Sequence, residues 1–336
     1  EKSSIPVAHQ ITILTISSNS KIRNAREMYF GKNYDNELTE RLYSFDKSKL
    51  LASQQEFEFE NEKPELVNKY FQWIGVAVLP RYSRIELSAA TDKYNDYKEY
   101  VLRNYDYRKP NDYHEYYRDY NHLIGDLWSV PKITVGYFDD LKKIISRAKP
   151  ETIFEWIKQD EQLRKTLEEN NETLPNTEAL LNLRGKQHSR KIKGANLRSY
   201  TKWLFATTEW LPIESQNRKS VPDKCCLSKT ITEEFSPFVE KPKVEIPTIA
   251  DKLEMPENAI ENYLVLVGVH REISSFSIAA LYDMLSSLPT SDKEGKAARR
   301  IYREIISNFN ENRVDINHPS YKSFLKDGKM FCQKGT

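Results

Sequence analysis

The scarcity of glycine limits the folds open to this chain more than any other feature of its sequence. Only ten of its 336 residues are glycine, or about 3%, against roughly 7% in an average protein. Glycine supplies the positive-φ positions of tight β-turns and lets a backbone approach bound phosphate closely. A turn-rich all-β fold is therefore disfavoured, and neither G-x-x-x-x-G-K-[ST] nor G-x-G-x-x-G occurs. We predict an α+β fold dominated by helices.

Length limits the number of domains, and charge limits the kinds of ligand the chain can bind. A chain of 336 residues suggests two domains or three small repeating units. Its 51 Lys and Arg nearly balance its 49 Asp and Glu, for a formal net charge of +2. This balance argues against a protein that binds polyanions through bulk charge, although it leaves room for a local basic patch.

Cysteine usage and hydropathy indicate a cytoplasmic protein that contacts no membrane. The three cysteines, Cys225, Cys226 and Cys332, are an odd count, and adjacent cysteines do not normally bridge each other. We therefore expect no disulfide framework and a reducing compartment. No apolar run reaches the ~18–20 residues of a membrane span. We also expect an excised piece of a longer protein, because the chain lacks an initiator Met and residues 328–336 open a new motif.

Two regions carry clear helix signals. Over 63–76, Pro64 suits a first helical turn and Gly75 a C-terminal stop. Between them, apolar residues recur at helical spacing, namely Leu66, Tyr70, Phe71, Trp73 and Ile74. Further along, Ser275 is predicted to cap one helix, and the spacing of Ser291 and Glu294 predicts the start of another. Their short connection predicts an antiparallel helical hairpin.

A weak internal repeat suggests two similar α+β units. Residues 28–31 precede a helix that ends at 73–76, and residues 224–227 precede a helix that ends at 266–269. This alignment pairs Phe30 with Cys226, and both helices end in a Gly-Val step. The start of a third copy follows near the C-terminus, at Gly328 to Phe331.

The predicted organisation has four parts. A first α+β unit covers 1–85, and a second unit with a C-terminal helical hairpin covers 183–327. A Tyr-rich helical insertion over 86–182 separates them, and 328–336 begin a further unit. The tyrosines of the insertion could form a binding surface, but their helical spacing and interleaved charges favour half-buried packing.

No residue pattern points to catalysis, a cofactor or a metal ion. The six histidines are scattered, and the closest pair, His114 and His122, is too far apart along a helix to share a metal. Cys225 and Cys226 point in opposite directions in an extended chain, so at least one is interpreted as a small core residue. The absence of a histidine near them in sequence argues against a nucleophile. We predict that this chain has no enzyme activity of its own.

The one uneven charge feature is the stretch 179–208, which contains no Asp or Glu. It carries seven cations with His188, Tyr200 and Trp203 among them: Arg184, Lys186, Arg190, Lys191, Lys193, Arg198 and Lys202. Cations beside aromatic rings can follow a nucleic-acid backbone and stack on bases, so a nucleic-acid-binding module is the alternative function. The favoured interpretation is a solvated hairpin whose charge offsets the acidic helix before it.

Three short motifs occur together. Trp210, Leu211 and Pro212, followed by Val-Pro-Asp-Lys at 221–224, are similar to the pattern W-[LV]-P … G … P-x-x. The helix end at 70–76, followed by Pro-Arg at 80–81, is similar to the pattern F-x-W-L-G-V … P-R. Residues 267–269, followed by two predicted helices, are similar to the pattern L-G-V with paired helices after it. Covering about a third of the chain, the motifs resemble those of sacsin-like proteins. These are very large chains headed by an ATPase domain related to the ninety-kilodalton heat-shock chaperones.

The resemblance implies a downstream, non-catalytic segment of such a protein. The family's ATP site rests on an N-terminal helix with a Glu/Asn pair and on a D-x-G-x-G loop, and neither is found here, so no nucleotide-binding residue carries over. The implied role is an interaction or scaffold module whose partners are proteins or other domains of the same chain. Some bacterial relatives are associated with defence against phage. The sequence departs from the pattern at 216–218, where the turn glycine is missing.

Overall fold

A computed structural model describes residues 13–59, 61–86, 96–97, 100, 134–168, 178–183, 186–191, 198–214, 218–227, 235, 238–286, 295–308 and 319–327. The fold is α+β and dominated by helices, as the sequence predicts, with small two-stranded sheets. Two compact units are present, one made of 1–83 and 136–165 and the other of 84–135 and 166–336. Residues 136–165, which the sequence analysis placed in the insertion, thus group with the first unit.

The chain up to residue 168 alternates short strands and helices. Strands β1 (Leu14–Ile16) and β2 (Ile22–Asn24) form an antiparallel hairpin. Helices α1 (Glu37–Leu42) and α2 (Pro64–Ile74) follow. Strands β3 (Tyr82–Glu86) and β4 (Thr134–Phe138) pair with each other. Three helices then come in succession: α3 (Leu141–Arg147), α4 (Pro150–Gln159) and α5 (Glu161–Glu168).

Helix α2 shows how the sequence builds the first core. Pro64 occupies its first turn, and Gly75 ends it with a φ of +112°, a conformation that favours glycine. The helix buries Val67, Phe71 and Ile74. These three side chains belong to one apolar cluster, whose other buried members are Ala25, Met28, Phe30, Tyr34, Leu51 and Val76.

Beyond residue 168 the same mixture continues. Strands β5 (Glu178–Leu183) and β6 (Lys186–Lys191) form an antiparallel hairpin, and helix α6 (Tyr200–Thr207) follows. A second hairpin, β7 (Leu211–Pro212) and β8 (Lys219–Ser220), comes next. The remaining helices are α7 (Ile246–Lys252), α8 (Glu257–Leu266), α9 (Ile278–Ser286), α10 (Lys296–Asn308) and α11 (Pro319–Asp327).

Helix α9 lies at the centre of the second core and contacts both α10 and α11. It contributes Leu281, Tyr282, Met284 and Leu285 to a buried cluster that also contains Cys226, Phe235, Val239, Ile273, Phe276, Ala298, Ile301 and Ile305. The predicted helix pair is therefore present. Its predicted cap is wrong, because the hydroxyl of Ser277, not Ser275, accepts the amide hydrogen of Ala280 at 3.2 Å. Ser275 instead ends a 3-10 helix.

The two units share a local arrangement around one helix-ending glycine each. A hairpin is followed by a 3-10 helix, Ala25–Glu27 in the first unit and Pro222–Lys224 in the second. An extended residue after it forms a parallel bridge to the residue two positions past the glycine, Tyr29 to Ala77 and Cys226 to His270. The two glycines have nearly identical φ angles of +112° and +113°.

The backbone hydrogen bonds at these bridges also correspond. The amide of Phe30 donates to Ala77 O at 3.0 Å, as the amide of Leu227 donates to His270 O at 3.0 Å. The structure therefore matches Phe30 with Leu227, whereas the sequence alignment pairs it with Cys226. The repeat is a local one, and its register differs by one residue from that predicted.

Several predictions fall outside the described residues, among them most of the Tyr-rich segment, His114, His122, Cys332 and the third repeat at 328–331. Of the tyrosines in that segment, Tyr97 is described as buried, and its ring lies 5.4 Å from that of Trp203. Among the described residues, no helix is long and apolar enough to cross a membrane.

Candidate functional site

The basic stretch begins with the β5–β6 hairpin that the sequence predicts. Lys186, Arg190 and Lys191 lie on β6, opposite Leu183, Ala179 and Glu178 of β5 in the antiparallel register. Arg184 and Lys193 lie outside the described residues. The backbone thus places three of these five cationic residues on one strand.

Arg198 is held within the second unit by contacts on its side chain and its backbone. Its guanidinium donates to Asp223 Oδ2 at 2.5 Å, and the two side chains are 27% and 29% exposed. Its carbonyl accepts the hydroxyl of Tyr97 at 2.9 Å, and its amide donates to the hydroxyl of Tyr100 at 3.0 Å. A phosphate could recruit this guanidinium only in competition with Asp223.

Lys202, one turn further along the chain, is buried and only 8% exposed. Burial lowers its pKa to about 8, and the positive charge of Arg198 adds to this effect. An exposed basic stripe that follows a nucleic-acid backbone therefore does not include Arg198 and Lys202 in this structure. Nucleic-acid binding, the alternative function, would therefore depend on the cations between residues 184 and 193.

The carboxylate of Asp223 also faces His270. Asp223 Oδ1 lies 4.0 Å from His270 Nε2, is buried and accepts no hydrogen bond from any residue that the structure describes. On the other side of the imidazole, Nδ1 lies 3.2 Å from Ser275 Oγ, and the hydroxyl of Ser275 donates to Glu272 O at 2.5 Å. Burial lowers the pKa of His270. Since 4.0 Å is beyond hydrogen-bond length, this Asp-His-Ser set lacks the Asp–His contact of a nucleophile relay.

Replacing Lys202 with methionine is expected to stabilise the protein at pH 7 and to flatten the rise of its stability at alkaline pH. The pKa of Lys202 is about 8 in the folded protein, against 10.5 for an ordinary lysine side chain, so the unfolded chain binds more protons between these values. The stability of the wild type therefore rises with pH in this window, because the penalty for the buried charge disappears. Methionine carries no charge, and we expect a gain of roughly 1–2 kcal/mol at neutral pH.

Urea unfolding of the wild type and the variant, followed by circular dichroism at pH 7 and about pH 10, measures this difference. The matched control is Lys243→Met at an exposed position, which should leave the pH profile of stability unchanged. Identical profiles for Lys202→Met and the wild type would contradict the prediction.

The adjacent cysteines lie in the core. Both are 0% exposed, and burial raises the pKa of Cys225 to about 12. The thiolate is the reactive form of cysteine, and a thiol with so high a pKa is almost entirely protonated at neutral pH. This placement agrees with the interpretation of these residues as small apolar side chains.

The motifs that resemble the sacsin-like pattern contribute packing and backbone contacts. Trp210 is 0% exposed, and its indole N–H donates to Phe205 O at 2.9 Å. The guanidinium of Arg81 donates to Gly75 O at 2.5 Å and to Met28 O at 2.9 Å. Arg81 thus joins the end of α2 to the extended residues of the repeat in the first unit.

One face of α2 carries three large apolar side chains that are about half exposed or more. Leu66, Tyr70 and Trp73 are 57%, 49% and 62% exposed and lie at spacings of four and three residues, which place them along one face. The rings of Tyr70 and Trp73 are neighbours, with centroids 6.4 Å apart. Isolated apolar side chains are common on protein surfaces, whereas a contiguous stripe with two aromatic rings is unusual.

The sequence predicts helix α2 but does not show that the face with Leu66, Tyr70 and Trp73 is exposed. The apolar residues of 63–76 form two overlapping stripes, and helical spacing alone does not tell which stripe is buried. The signal present in the sequence was an excess of large apolar side chains on this helix. A helix of eleven residues that needs only Val67, Phe71 and Ile74 for its core carries three further large apolar side chains.

The β1–β2 hairpin has its apolar side turned outward as well. Leu14 and Ile22 are 62% and 70% exposed, whereas Thr15 and Ser17, on the other side of β1, are buried. This is the reverse of the usual alternation, in which apolar residues face the core. The first unit therefore presents apolar side chains from both a helix and a hairpin.

Comparisons with protein-family models, curated proteins and solved structures found no match to this chain.

Proposed function

We propose that this chain is a protein-interaction module without an active site of its own, and that its partner binds the face of α2 formed by Leu66, Tyr70 and Trp73. The observation that carries this proposal is the exposure of all three side chains, about half or more of each, on one helix. Tyr and Trp are the residues most enriched where binding energy concentrates in protein interfaces.

The spacing of the three side chains defines the partner. Positions i, i+4 and i+7 are the anchors with which a helix enters an apolar groove on another protein. The exposed polar residues Glu65 and Lys69 flank the stripe and supply the polar rim of such an interface. The occupant we propose is therefore an apolar groove with a pocket deep enough for Trp73.

The sacsin-like resemblance supports the same role. We propose that the chain is the downstream, non-catalytic segment of a larger ATPase-headed protein and works in the cytoplasm, where its two buried thiols would stay reduced. The partner would then be a separate protein or another domain of the same polypeptide. The resemblance also makes a role in phage defence a hypothesis for the full-length protein.

Replacing Leu66, Tyr70 and Trp73 together with glutamine is expected to abolish partner binding while leaving the fold intact. The three side chains are exposed, so their loss removes interface contacts and few core contacts. Affinity capture from cells of the source organism, with quantitative mass spectrometry, should recover a protein with wild type and lose it with the triple variant. With the purified partner, the dissociation constant should rise by roughly tenfold or more, since two aromatic anchors are removed.

The matched control exchanges Glu161 and Lys165, which are exposed on α5 of the same unit, for glutamine and should bind the partner like wild type. Trp73 is 62% exposed and offers a readout once the emission of a Trp73→Phe variant, which keeps the other four tryptophans, is subtracted. Acrylamide quenching of its fluorescence should fall when the partner binds. Capture of the same proteins in equal amounts by wild type and triple variant would overturn the proposal.

A further inference from the structure

The β1–β2 hairpin has one covered edge and one open edge. Beside β1, the amide of Ala52 donates to Ile16 O at 3.0 Å, and the amide of Ser18 donates to Leu50 O at 2.8 Å. Residues 50–52 therefore cover the outer edge of β1. In the part of the chain that the structure describes, no strand pairs with the outer edge of β2.

The register of the hairpin determines which backbone groups β2 turns outward. The amide of Ser17 donates to Lys21 O at 2.9 Å, and hydrogen-bonded pairs alternate along an antiparallel ladder. Ile22 and Asn24 therefore direct their amides away from β1. Neither amide donates to a described residue, and the carbonyl of Ile22 accepts no hydrogen bond from one. Unpaired backbone donors and acceptors along a strand are a template for pairing with another strand.

The hairpin also exposes apolar side chains next to this open edge. Leu14 and Ile16 of β1 lie on the same face as Ile22 of β2, because the register pairs Ile16 with Ile22 and side chains alternate along each strand. Leu14 and Ile22 are 62% and 70% exposed. Side chains of a strand added beside β2 would stand next to Ile22 and cover part of this face.

Strand β2 lacks the features that usually prevent an edge strand from pairing. Natural edge strands are often protected by a proline, a β-bulge or a charged side chain that points inward. The sequence of β2 is Ile-Arg-Asn, and its register with β1 is one-to-one, without a bulge. The guanidinium of Arg23 donates to Ser48 Oγ at 3.1 Å, and Arg23 belongs to the face opposite Leu14 and Ile22.

We propose that β2 binds an extended segment of a partner polypeptide as an added strand, with apolar residues on the face of Leu14 and Ile22. The outward amides and carbonyl select an extended polypeptide, since a helix already satisfies its own backbone groups. Lys21, which is exposed just before the strand, favours an acidic residue in that segment. The proposal adds a second surface to the interaction module and does not depend on the α2 face.

The probe is an end-blocked, fluorescein-labelled heptapeptide in which three valines alternate with two serines between terminal glutamates. Fluorescence anisotropy measures its binding to the full chain, and we expect saturable binding. Ile22→Pro removes an outward amide that the hairpin itself does not use, and it should weaken binding by roughly tenfold or more. The matched control Ile22→Leu keeps the amide and the side-chain volume and should bind within about twofold of wild type.

A pair of modified probes tests strand pairing without altering the protein. Alternate amides of an added strand face β2, and the others face away from it. N-methylation of one alternate set should therefore weaken binding by roughly tenfold or more, whereas methylation of the other set should preserve most of it. This comparison remains decisive if Ile22→Pro does not fold. Absence of binding to the unmodified probe, or equal loss with both methylated probes, would overturn the proposal.

A second copy of the chain is the competing occupant of this edge. Sedimentation velocity over a range of protein concentrations should show a monomer for both wild type and Ile22→Pro. A wild-type dimer that Ile22→Pro dissociates would place a second copy on β2 and overturn the proposal of a separate partner. The α2 triple variant should bind the probe like wild type, so a failure of the proposed function is distinguishable from a failure of this one.

Discussion

Replacing Trp210 with alanine is expected to destabilise the protein by about 3–5 kcal/mol, because it leaves a large cavity in a core that is closed to water. Trp210 is 0% exposed, and its ring lies edge-on against Phe205 with centroids 6.1 Å apart. Its backbone amide donates to Ser220 O at 3.2 Å, which ties the β7–β8 hairpin to the residue. Stabilities of whole domains are only about 5–15 kcal/mol, so this single change approaches the limit of folding.

Two control variants separate the contributions to this loss. Trp210→Phe keeps most of the ring but leaves Phe205 O without the indole N–H at 2.9 Å, at an expected cost of about 1–3 kcal/mol. Trp73→Ala removes the same residue type from a position 62% exposed and should change stability by no more than about 0.5 kcal/mol. Denaturant unfolding followed by circular dichroism ranks the three variants. If Trp210→Ala lowered the free energy of unfolding as little as Trp73→Ala, the burial of Trp210 in the core would be disproved.

The contrast between these two tryptophans shows what the sequence could and could not predict. Helix α2 was predictable because its signals are local, with Pro64 in the first turn and Gly75 at the end. Which of its two apolar stripes is buried depends on Tyr34 and Leu51, distant in sequence, which pack against Val67, Phe71 and Ile74. No window around α2 contains that information.

The basic stretch illustrates the same limit for charge. A local count of cations predicts a solvated or nucleic-acid-binding surface at Arg198 and Lys202. Asp223, which pairs with Arg198, stands 25 residues further along the chain. A carboxylate supplied by another element therefore pairs with Arg198, whose side chain is 27% exposed. The burial of Lys202 likewise depends on tertiary packing.

The candidate binding surfaces differ in how far sequence could have revealed them. The stripe on α2 lies within one helix, and its excess of apolar side chains is visible in the printed sequence. A cavity on the second unit, by contrast, is lined by Glu214, Pro242, residues 244–247 and residues of α8, which only the fold brings together. The repeat was detectable because each copy ends its helix with the same Gly-Val step. Its register was missed by one residue because the bridging residues, Tyr29 and Cys226, share no side-chain chemistry.

Replacing Gly268 with alanine is expected to cost roughly 2–5 kcal/mol, and more than the same change at Gly75. The φ angles are +112° at Gly75 and +113° at Gly268, so both substitutions carry a similar backbone penalty. A Cβ at Gly268 would lie 2.6 Å from Ala206 Cβ and 3.0 Å from its Cα. Ala206 belongs to α6 and is 0% exposed, so the contact is relieved only if the helix moves.

The matched change at Gly75 meets a softer neighbour. A Cβ there would lie 2.7 Å from Arg26 Cγ, which a rotation of a long side chain can clear, while the Arg26 Cα is 3.6 Å away. We therefore expect Gly75→Ala to cost only the backbone term, about 1–2 kcal/mol. Denaturant unfolding of both variants gives the difference.

A double-mutant cycle tests the proposed cause. Ala206→Gly removes the obstructing Cβ at a cost of about 1 kcal/mol in helix α6. Combined with Gly268→Ala, it should recover roughly 1–3 kcal/mol relative to the sum of the single changes, because the close contact with that Cβ disappears while the backbone penalty remains. The contact at Ala206 Cα, 3.0 Å away, stays and keeps the recovery incomplete. Additive effects would show that the positive φ alone makes glycine necessary at position 268, and equal costs at Gly75 and Gly268 would point to the same conclusion.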